Sequence, residues 1–152
     1  AMEVFGGNGY VQDSIVSRLF REAPVNSIWE GSGNVMCLDV LRALQREPEA
    51  AHALLTELHA AAQGEPRIAA AARELQALLA APAEQLEGLG RVLTQRLVLL
   101  AQACLLRQQA PAAVADAFVA TRLADSGAGR VAGAIDTRGL DVAAVLARAF
   151  PG

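Results

Sequence analysis

The sequence predicts an all-α protein built as an antiparallel helical bundle. Hydrophobic residues make up 53% of its 152 residues and aromatic residues only 4%, since Ala and Leu supply most of the apolar content. Ala and Leu are the strongest helix formers, so this composition favours helices over strands. Prolines divide the chain into segments with a helical apolar period, which predicts about six or seven helices.

The first part of the chain predicts two short helical segments. Residues 1–6 are typical of a helix end, and we expect so abrupt a start in a piece of a longer protein. Gly6-Gly7-Asn8-Gly9 then predicts a turn that stops this helix. A helix is predicted over residues 14–22, with Pro24 as its stop signal. The residues expected to face inward are Ile15, Leu19 and Phe20.

The rest of the chain predicts longer helices separated by turns. They span about 34–47, 49–63, 66–81, 83–109, 112–125 and 140–150, with a flexible loop at 126–129. The helix at 83–109 has an apolar seam at alternating three- and four-residue steps, which indicates antiparallel bundle packing. The predicted core faces are Leu54, Leu55, Leu58 and Ala62; Ile68, Ala72, Leu75 and Leu79; Leu86, Gly90, Leu93, Leu97, Leu100 and Cys104; Val114, Phe118 and Thr121; and Val142, Val145, Leu146 and Ala149.

Charge and side-chain chemistry argue against several classes of function. The net charge is −3 and all 13 basic residues are Arg, scattered along the chain, which disfavours nucleic-acid and acidic-membrane partners. The apolar run at 97–106 is short and contains a Gln, so we expect a core helix there and not a membrane span. Cys37 and Cys104 make no metal or disulfide pattern, which favours reduced thiols and a cytoplasmic location. His52 and His59 have poor metal-ligand spacing, and no metal site is predicted.

The loop at residues 29–34, Trp-Glu-Gly-Ser-Gly-Asn, is the candidate site; we call it the 29–34 loop. It leads into a helix whose free N–H groups and partial positive charge suit the anionic part of a cofactor. Gly31 and Gly33 would let a flat ligand approach the backbone, and burial beside Trp29 would raise the pKa of Glu30. The alternative is a simple capped helix with a surface Glu and a buried Trp. In either case Ser32 or Asn34 is the predicted N-cap.

Two motifs at a fixed separation resemble a known family signature. Phe5-Gly6-Gly7-Asn8-Gly9-Tyr10 and the 29–34 loop resemble the C-terminal signature of the acyl-CoA dehydrogenase family, and most of all its AidB-type, DNA-alkylation-response branch. The resemblance is strongest over residues 1–45. It implies that 1–47 is the C-terminal part of the catalytic helical domain and that 48–152 is an extended helical bundle packed on it.

The resemblance implies a flavin-dependent oxidoreductase and assigns roles to residues. Glu30 matches the catalytic base, which takes the α-proton of an acyl-CoA thioester while a hydride leaves the β-carbon for flavin N5. Glu3 stands where much of the family has Gln, Trp29 replaces a commoner Tyr, and Gly33 a commoner Ser. The residues implied in binding FAD, partly that of a neighbouring subunit in a homotetramer, are Glu3, Gly6, Gly7, Gly9, Trp29, Gly31, Ser32, Gly33 and Asn34.

The sequence is also compatible with two other functions. The AidB-type branch links its C-terminal helical domain to duplex DNA, although the scattered Arg residues here make no basic stripe. A helical oligomerisation module is the third possibility. Because the resemblance implies that other domains supply most of the flavin envelope, we expect the isolated chain to lack FAD and to be inactive.

Overall fold

The computed structural model of the protein describes residues 2–29, 31–123, 137 and 139–150. Every regular element in these residues is helical, which confirms the predicted all-α class. Two 3₁₀ helices span Met2–Phe5 and Ala23–Ser27. The α-helices are α1 (Gly7–Tyr10), α2 (Ile15–Glu22), α3 (Gly33–Arg46), α4 (Pro48–Ala61), α5 (Pro66–Leu79), α6 (Ala83–Gln109), α7 (Ala112–Arg122) and α8 (Val142–Ala149).

Prolines set the boundaries of the long helices, as the sequence predicts. Pro48 and Pro66 occupy the first positions of α4 and α5, where the missing N–H costs no intrahelical bond. Pro82 and Pro111 immediately precede α6 and α7 in extended conformations. The predicted bounds of α3 to α6 therefore agree closely with the observed ones.

The N-terminal segment differs from its prediction in two places. Gly7–Tyr10 forms a turn of helix, so the predicted Gly-rich turn is wrong in its conformation after Gly6. Pro24 does not end the helical path either, because the 3₁₀ helix Ala23–Ser27 continues directly from α2. Helix α2 itself is confirmed, and the hydroxyl of Ser14 caps it by accepting the Val16 N–H at 3.2 Å.

Helix α6 is the centre of the bundle, with α3, α4, α5 and α7 packed on it. Its seam is confirmed, since Leu93, Leu100 and Cys104 are buried and Gly90 lies against α3. The buried apolar residues form one cluster of Leu41, Leu58, Ala62, Ile68, Ala71, Ala72, Leu75, Leu93, Leu100, Ala103, Cys104 and Val119. This cluster holds residues 33–122 together as a bundle.

Three predicted core faces are partly wrong. Leu54 of α4 is exposed, and α7 buries Ala115 and Val119 in place of the predicted residues one position earlier, Val114 and Phe118, which are only half-buried. Helix α8 packs on α7, and of its predicted inward residues Val142, Leu146 and Ala149 are exposed. The predicted loop at 126–129 lies outside the described residues.

One helix of the described chain, over Glu84–Gln109, is long and apolar enough to cross a membrane by length and composition alone. The same stretch carries the core residues Leu93 and Leu100, which are covered by neighbouring helices. The core helix of a bundle has this length and hydropathy too, so the single helix is weak evidence for a membrane span.

Candidate functional site

The backbone of Trp29 is anchored while its side chain is exposed. The N–H groups of Ile28 and Trp29 both donate to the carbonyl oxygen of Val25, at 2.9 and 3.1 Å, where the 3₁₀ helix ends. The Trp29 side chain is 64% exposed, so the expectation of a buried Trp is wrong. Glu30, the candidate base, lies outside the described residues, and its role stays a prediction.

Gly31 and Ser32 form the entry to α3. Gly31 has a φ of +108°, a conformation that L side chains rarely adopt, so this position requires glycine. Ser32 is the N-cap residue, as one of the two predicted options, with its backbone extended and its carbonyl accepting the Met36 N–H at 3.1 Å. The Ser32 side chain forms no capping hydrogen bond to the first turn. Its hydroxyl is therefore exposed beside the start of α3 and unused by the helix.

A cleft of about 220 Å³ lies beside the first turns of α3, between α3 and α6. Its lining residues are Asn34, Cys37, Leu38, Glu87, Gly88, Gly90 and Arg91. Arg91 reaches the helix start, since a Cβ built on Gly33 would lie 3.2 Å from its Nη2 atom. Sequence reasoning missed Gly90 and Arg91 as neighbours of the candidate site. Only the tertiary packing of α3 on α6 reveals them.

The first motif is a compact turn held by its own packing. Gly6 has a φ of +55°, and Gly7 follows it with no atom within 4 Å of its Cβ position. Gly9 is buried, and a Cβ there would lie 2.5 Å from the Met2 carbonyl oxygen and 2.9 Å from Phe5 Cβ. Close packing against Met2 and Phe5 therefore requires a glycine at position 9.

The structure gathers the predicted site residues into two groups. Glu3, exposed on the first 3₁₀ helix, joins Gly6, Gly7 and Gly9, while Gly31, Ser32, Gly33 and Asn34 lie together at the start of α3. The principal helix contacts of the described chain link α1 and α2 to the 3₁₀ helices, and α3 to α4 and α6. The two groups are not joined by these contacts, and their shared role in binding FAD stays a prediction.

The N-terminal segment exposes a large set of apolar side chains, which we call the N-terminal apolar surface. Its members are Val4, Phe5, Tyr10, Val11, Ile15, Leu19, Phe20, Val25, Ile28, Trp29, Val35 and Met36. The expectation that Ile15, Leu19 and Phe20 face inward is wrong in this chain, because no element in the described residues covers them. The amphipathic period of α2 indicates a face that needs covering and cannot indicate what covers it.

The described histidines and cysteines of the bundle lie in surroundings that indicate neither metal binding nor, for Cys104, nucleophilic reactivity. His52 and His59 line a shallow pocket on α4, and Nδ1 of His59 lies 2.7 Å from the Leu55 carbonyl oxygen. Within the described ranges, no group of three or more His, Cys, Asp or Glu residues could hold a metal ion. Burial raises the pKa of the Cys104 thiol, whose Sγ lies 3.8 Å from the Leu58 carbonyl oxygen, which makes it a poor nucleophile.

Comparison with known proteins confirms the resemblance for the first part of the chain. Residues 1–45 match the family model described as the acyl-CoA dehydrogenase C-terminal domain. The chain is 52% identical over 101 residues to "Putative acyl-CoA dehydrogenase AidB" of Escherichia coli (strain K12), a match that covers 66% of this chain and 18% of that protein.

Two further relatives match over shorter stretches. "Acyl-CoA dehydrogenase family member 11" of Caenorhabditis elegans is 54% identical over 41 residues, which cover 27% of this chain and 7% of that protein. "Cyclohexane-1-carbonyl-CoA dehydrogenase" of Geobacter metallireducens is 43% identical over 47 residues, or 31% and 12%. The chain thus spans less than a fifth of each of these relatives.

Proposed function

We propose that the chain is the C-terminal part of a flavin-dependent oxidoreductase of the acyl-CoA dehydrogenase type. Residues 1–47 complete the catalytic helical domain, and residues 48–152 form an extended bundle on it. The match of residues 1–45 to the family model supports this proposal, because that stretch contains both motifs. The similarity to a putative acyl-CoA dehydrogenase over 101 residues supports it as well.

One structural observation carries the proposed flavin contact: the free hydroxyl at the start of α3. Ser32 occupies the N-cap position, yet its side chain makes no capping bond, and Asn34 is exposed two residues further on. A helix start offers N–H donors and a partial positive charge, which fit the polar atoms of FAD. In this proposal Ser32 and Asn34 hold the cofactor, and Gly31 and Gly33 admit it close to the backbone. When bound, FAD supplies the hydride acceptor at its N5 atom.

Glu30 is the proposed base. Its place in the matched stretch, between Trp29 and Gly31, supports a role in taking the α-proton of an acyl-CoA thioester. The ring of Trp29, the preceding residue in the sequence, is exposed and offers an apolar surface against which an acyl chain or a neighbouring domain can pack.

The N-terminal apolar surface supports the view that this chain works within a larger assembly. It contains twelve exposed large apolar side chains between Val4 and Met36, a density that soluble proteins normally cover. We propose that other domains of the same polypeptide and a second subunit cover it, in a homo-oligomer in the cytoplasm.

Duplex DNA binding gains no support from the described bundle. Arg107 is engaged by Glu65 at 3.0 Å and by Asp116 at 2.7 Å, and Arg96 lies 3.6 Å from Glu74. These pairs neutralise basic side chains that phosphate contacts would require. The flavin role therefore remains the proposed function.

Substitution of Ser32 tests the proposed cofactor contact. In the full-length protein that contains these residues, Ser32→Ala should weaken FAD binding by about fivefold, the value of one hydrogen bond of about 1 kcal/mol. Ser27→Ala is the matched control, because the Ser27 hydroxyl donates to Pro24 O at 2.9 Å within its own 3₁₀ helix. Equilibrium dialysis of FAD measures both. Equal affinity in the two variants would contradict the proposed contact, and a wild-type protein without flavin affinity would contradict the proposed function.

A further inference from the structure

We propose that α6 positions the first turn of α3, which carries Ser32 and Asn34, with Gly90 and Arg91 as positioning residues, so that the extended bundle is a working part of the flavin site. This inference rests on the proposed function. It concerns residues that neither motif contains, and it arises from two contacts between α6 and α3, one near the middle of α3 and one at its start.

The first contact fixes the distance between the two helices. Gly90 is buried within α6, and a Cβ at that position would lie 3.1 Å from Cδ1 of Leu41 and 3.9 Å from Cβ of Cys37, both on α3. Glycine lowers helix propensity, so its place in the interior of a long helix has a packing reason. Here the absence of a side chain at Gly90 leaves the space in which Leu41 is buried in the core.

The second contact lies at the first turn of α3. Nη2 of Arg91 is 3.2 Å from the position of a Cβ on Gly33, and Arg91 lines the cleft together with Asn34. The guanidinium thus covers the turn that carries Ser32 and Asn34. Leu41 lies eight residues beyond Gly33, or about 12 Å along the helix axis.

A rigid helix transmits a displacement along its length. If a side chain at position 90 pushed Leu41 away, α3 would shift or tilt, and its first turn would move with it. In catalysis, a displacement of about 1 Å caused by a remote mutation can cost a hundredfold in rate. The packing of Leu41 against Gly90 therefore determines the positions of the polar atoms of Ser32 and Asn34.

The test needs a control on α6 outside the cleft. Gln102 is exposed on the same helix and does not line the cleft. Gly90→Val and Gln102→Val introduce the same side chain, and only the first places atoms against Leu41. In the full-length protein we expect Gly90→Val to weaken FAD binding by about tenfold or more and Gln102→Val to leave it within about twofold. Adding Leu41→Ala to Gly90→Val makes room again and should restore most of the affinity.

A readout without flavin separates this inference from the proposed function. Hydrogen exchange of the amides at 31–36 should speed up in Gly90→Val and stay unchanged in Gln102→Val. Arg91→Ala should raise the FAD dissociation constant severalfold. It should not lower Tm, because Arg91 is exposed. If Arg91 only stabilised the fold, the substitution would lower Tm and leave the FAD dissociation constant unchanged. If Gly90→Val does not fold, Gly90→Ala takes its place.

The outcomes are distinct. Wild-type protein without flavin affinity would contradict the proposed function, while the exchange comparison would still decide the inference. A folded Gly90→Val whose flavin affinity and amide exchange equal those of Gln102→Val would overturn the inference.

Discussion

Gly9 shows at the residue scale how a motif glycine can be required by packing. Its Cβ position lies 2.5 Å from the Met2 carbonyl oxygen, whereas the Cβ position of Gly7 has nothing within 4 Å. Gly9→Ala should lower the local opening free energy of residues 2–22 by about 1–3 kcal/mol, as overpacking does. Gly7→Ala should be neutral or stabilising by up to about 1 kcal/mol, because it lies in the first helical turn of α1. Native-state hydrogen exchange of the two variants measures the difference, and equal protection in both would contradict the packing argument.

The residues of the 29–34 loop mark what sequence can predict at this scale. The N-cap position of Ser32 follows from local chemistry, since a small polar residue before an apolar helical period favours that position. The exposure of Trp29 does not follow, because burial depends on whichever element packs over the ring. The contact of Arg91 with the start of α3 is also beyond local sequence, since the two lie far apart in the chain.

At the scale of elements, α6 carries the core. Leu93 is 0% exposed and Leu105, on the same helix, is 59% exposed. Leu93→Ala should reduce the free energy of unfolding by about 2–5 kcal/mol, whereas Leu105→Ala should change it by less than about 0.5 kcal/mol. Urea unfolding followed by circular dichroism measures both. Equal losses of unfolding free energy in the two variants would show that α6 does not pack as described.

The two cysteines report on the same packing. Cys37 is half-buried on α3, whereas Cys104 is buried on α6 and burial raises the pKa of its thiol. A thiol whose pKa is raised in the folded state holds less thiolate at neutral pH, so Cys104 should react with a disulfide reagent only on unfolding. Cys37 should react in the native protein. The raised pKa also predicts that stability falls as pH rises through about 9, where the unfolded thiol ionises first. Rapid native labelling of both thiols would contradict this packing.

Helix boundaries were predictable from sequence, and buried faces only in part. Prolines at 48, 66, 82 and 111 mark helix starts because proline lacks an N–H and fixes φ, which is a local effect. The seam of α6 has a clear period over many turns and was predicted correctly. In α2 the period marks an apolar face, but the described residues contain nothing that covers it. In α7 the buried stripe is displaced by one residue, a rotation that only the packing on α6 determines.

At the scale of the whole molecule, charge predicts weak binding to DNA. The net charge is −3, and Arg96 and Arg107 are paired with carboxylates. Fluorescence titration with duplex DNA should therefore give weak binding whose affinity falls only gently as salt rises. Tight binding at physiological salt that falls steeply with added salt would show that a basic patch exists and would favour the DNA-binding alternative.

The N-terminal apolar surface indicates that further protein elements cover this part of the chain. Its exposed side chains lie within or next to both motifs in the sequence, so the elements that cover them would also cover the proposed flavin site. We therefore expect the isolated 152-residue chain to purify without colour, and the full-length protein to carry FAD. A stoichiometric yellow cofactor in the isolated chain would show that these residues alone enclose it.

The most direct measurement is flavin reduction in the full-length protein with Glu30→Gln. The substitution keeps the shape of the side chain and removes the base, so FAD should stay bound while acyl-CoA-dependent bleaching of its absorbance is abolished. Glu22→Gln, an exposed carboxylate at the end of α2, is the matched control and should bleach like the wild type. Bleaching that survives Glu30→Gln at the rate of Glu22→Gln would contradict the assignment of Glu30 as the base.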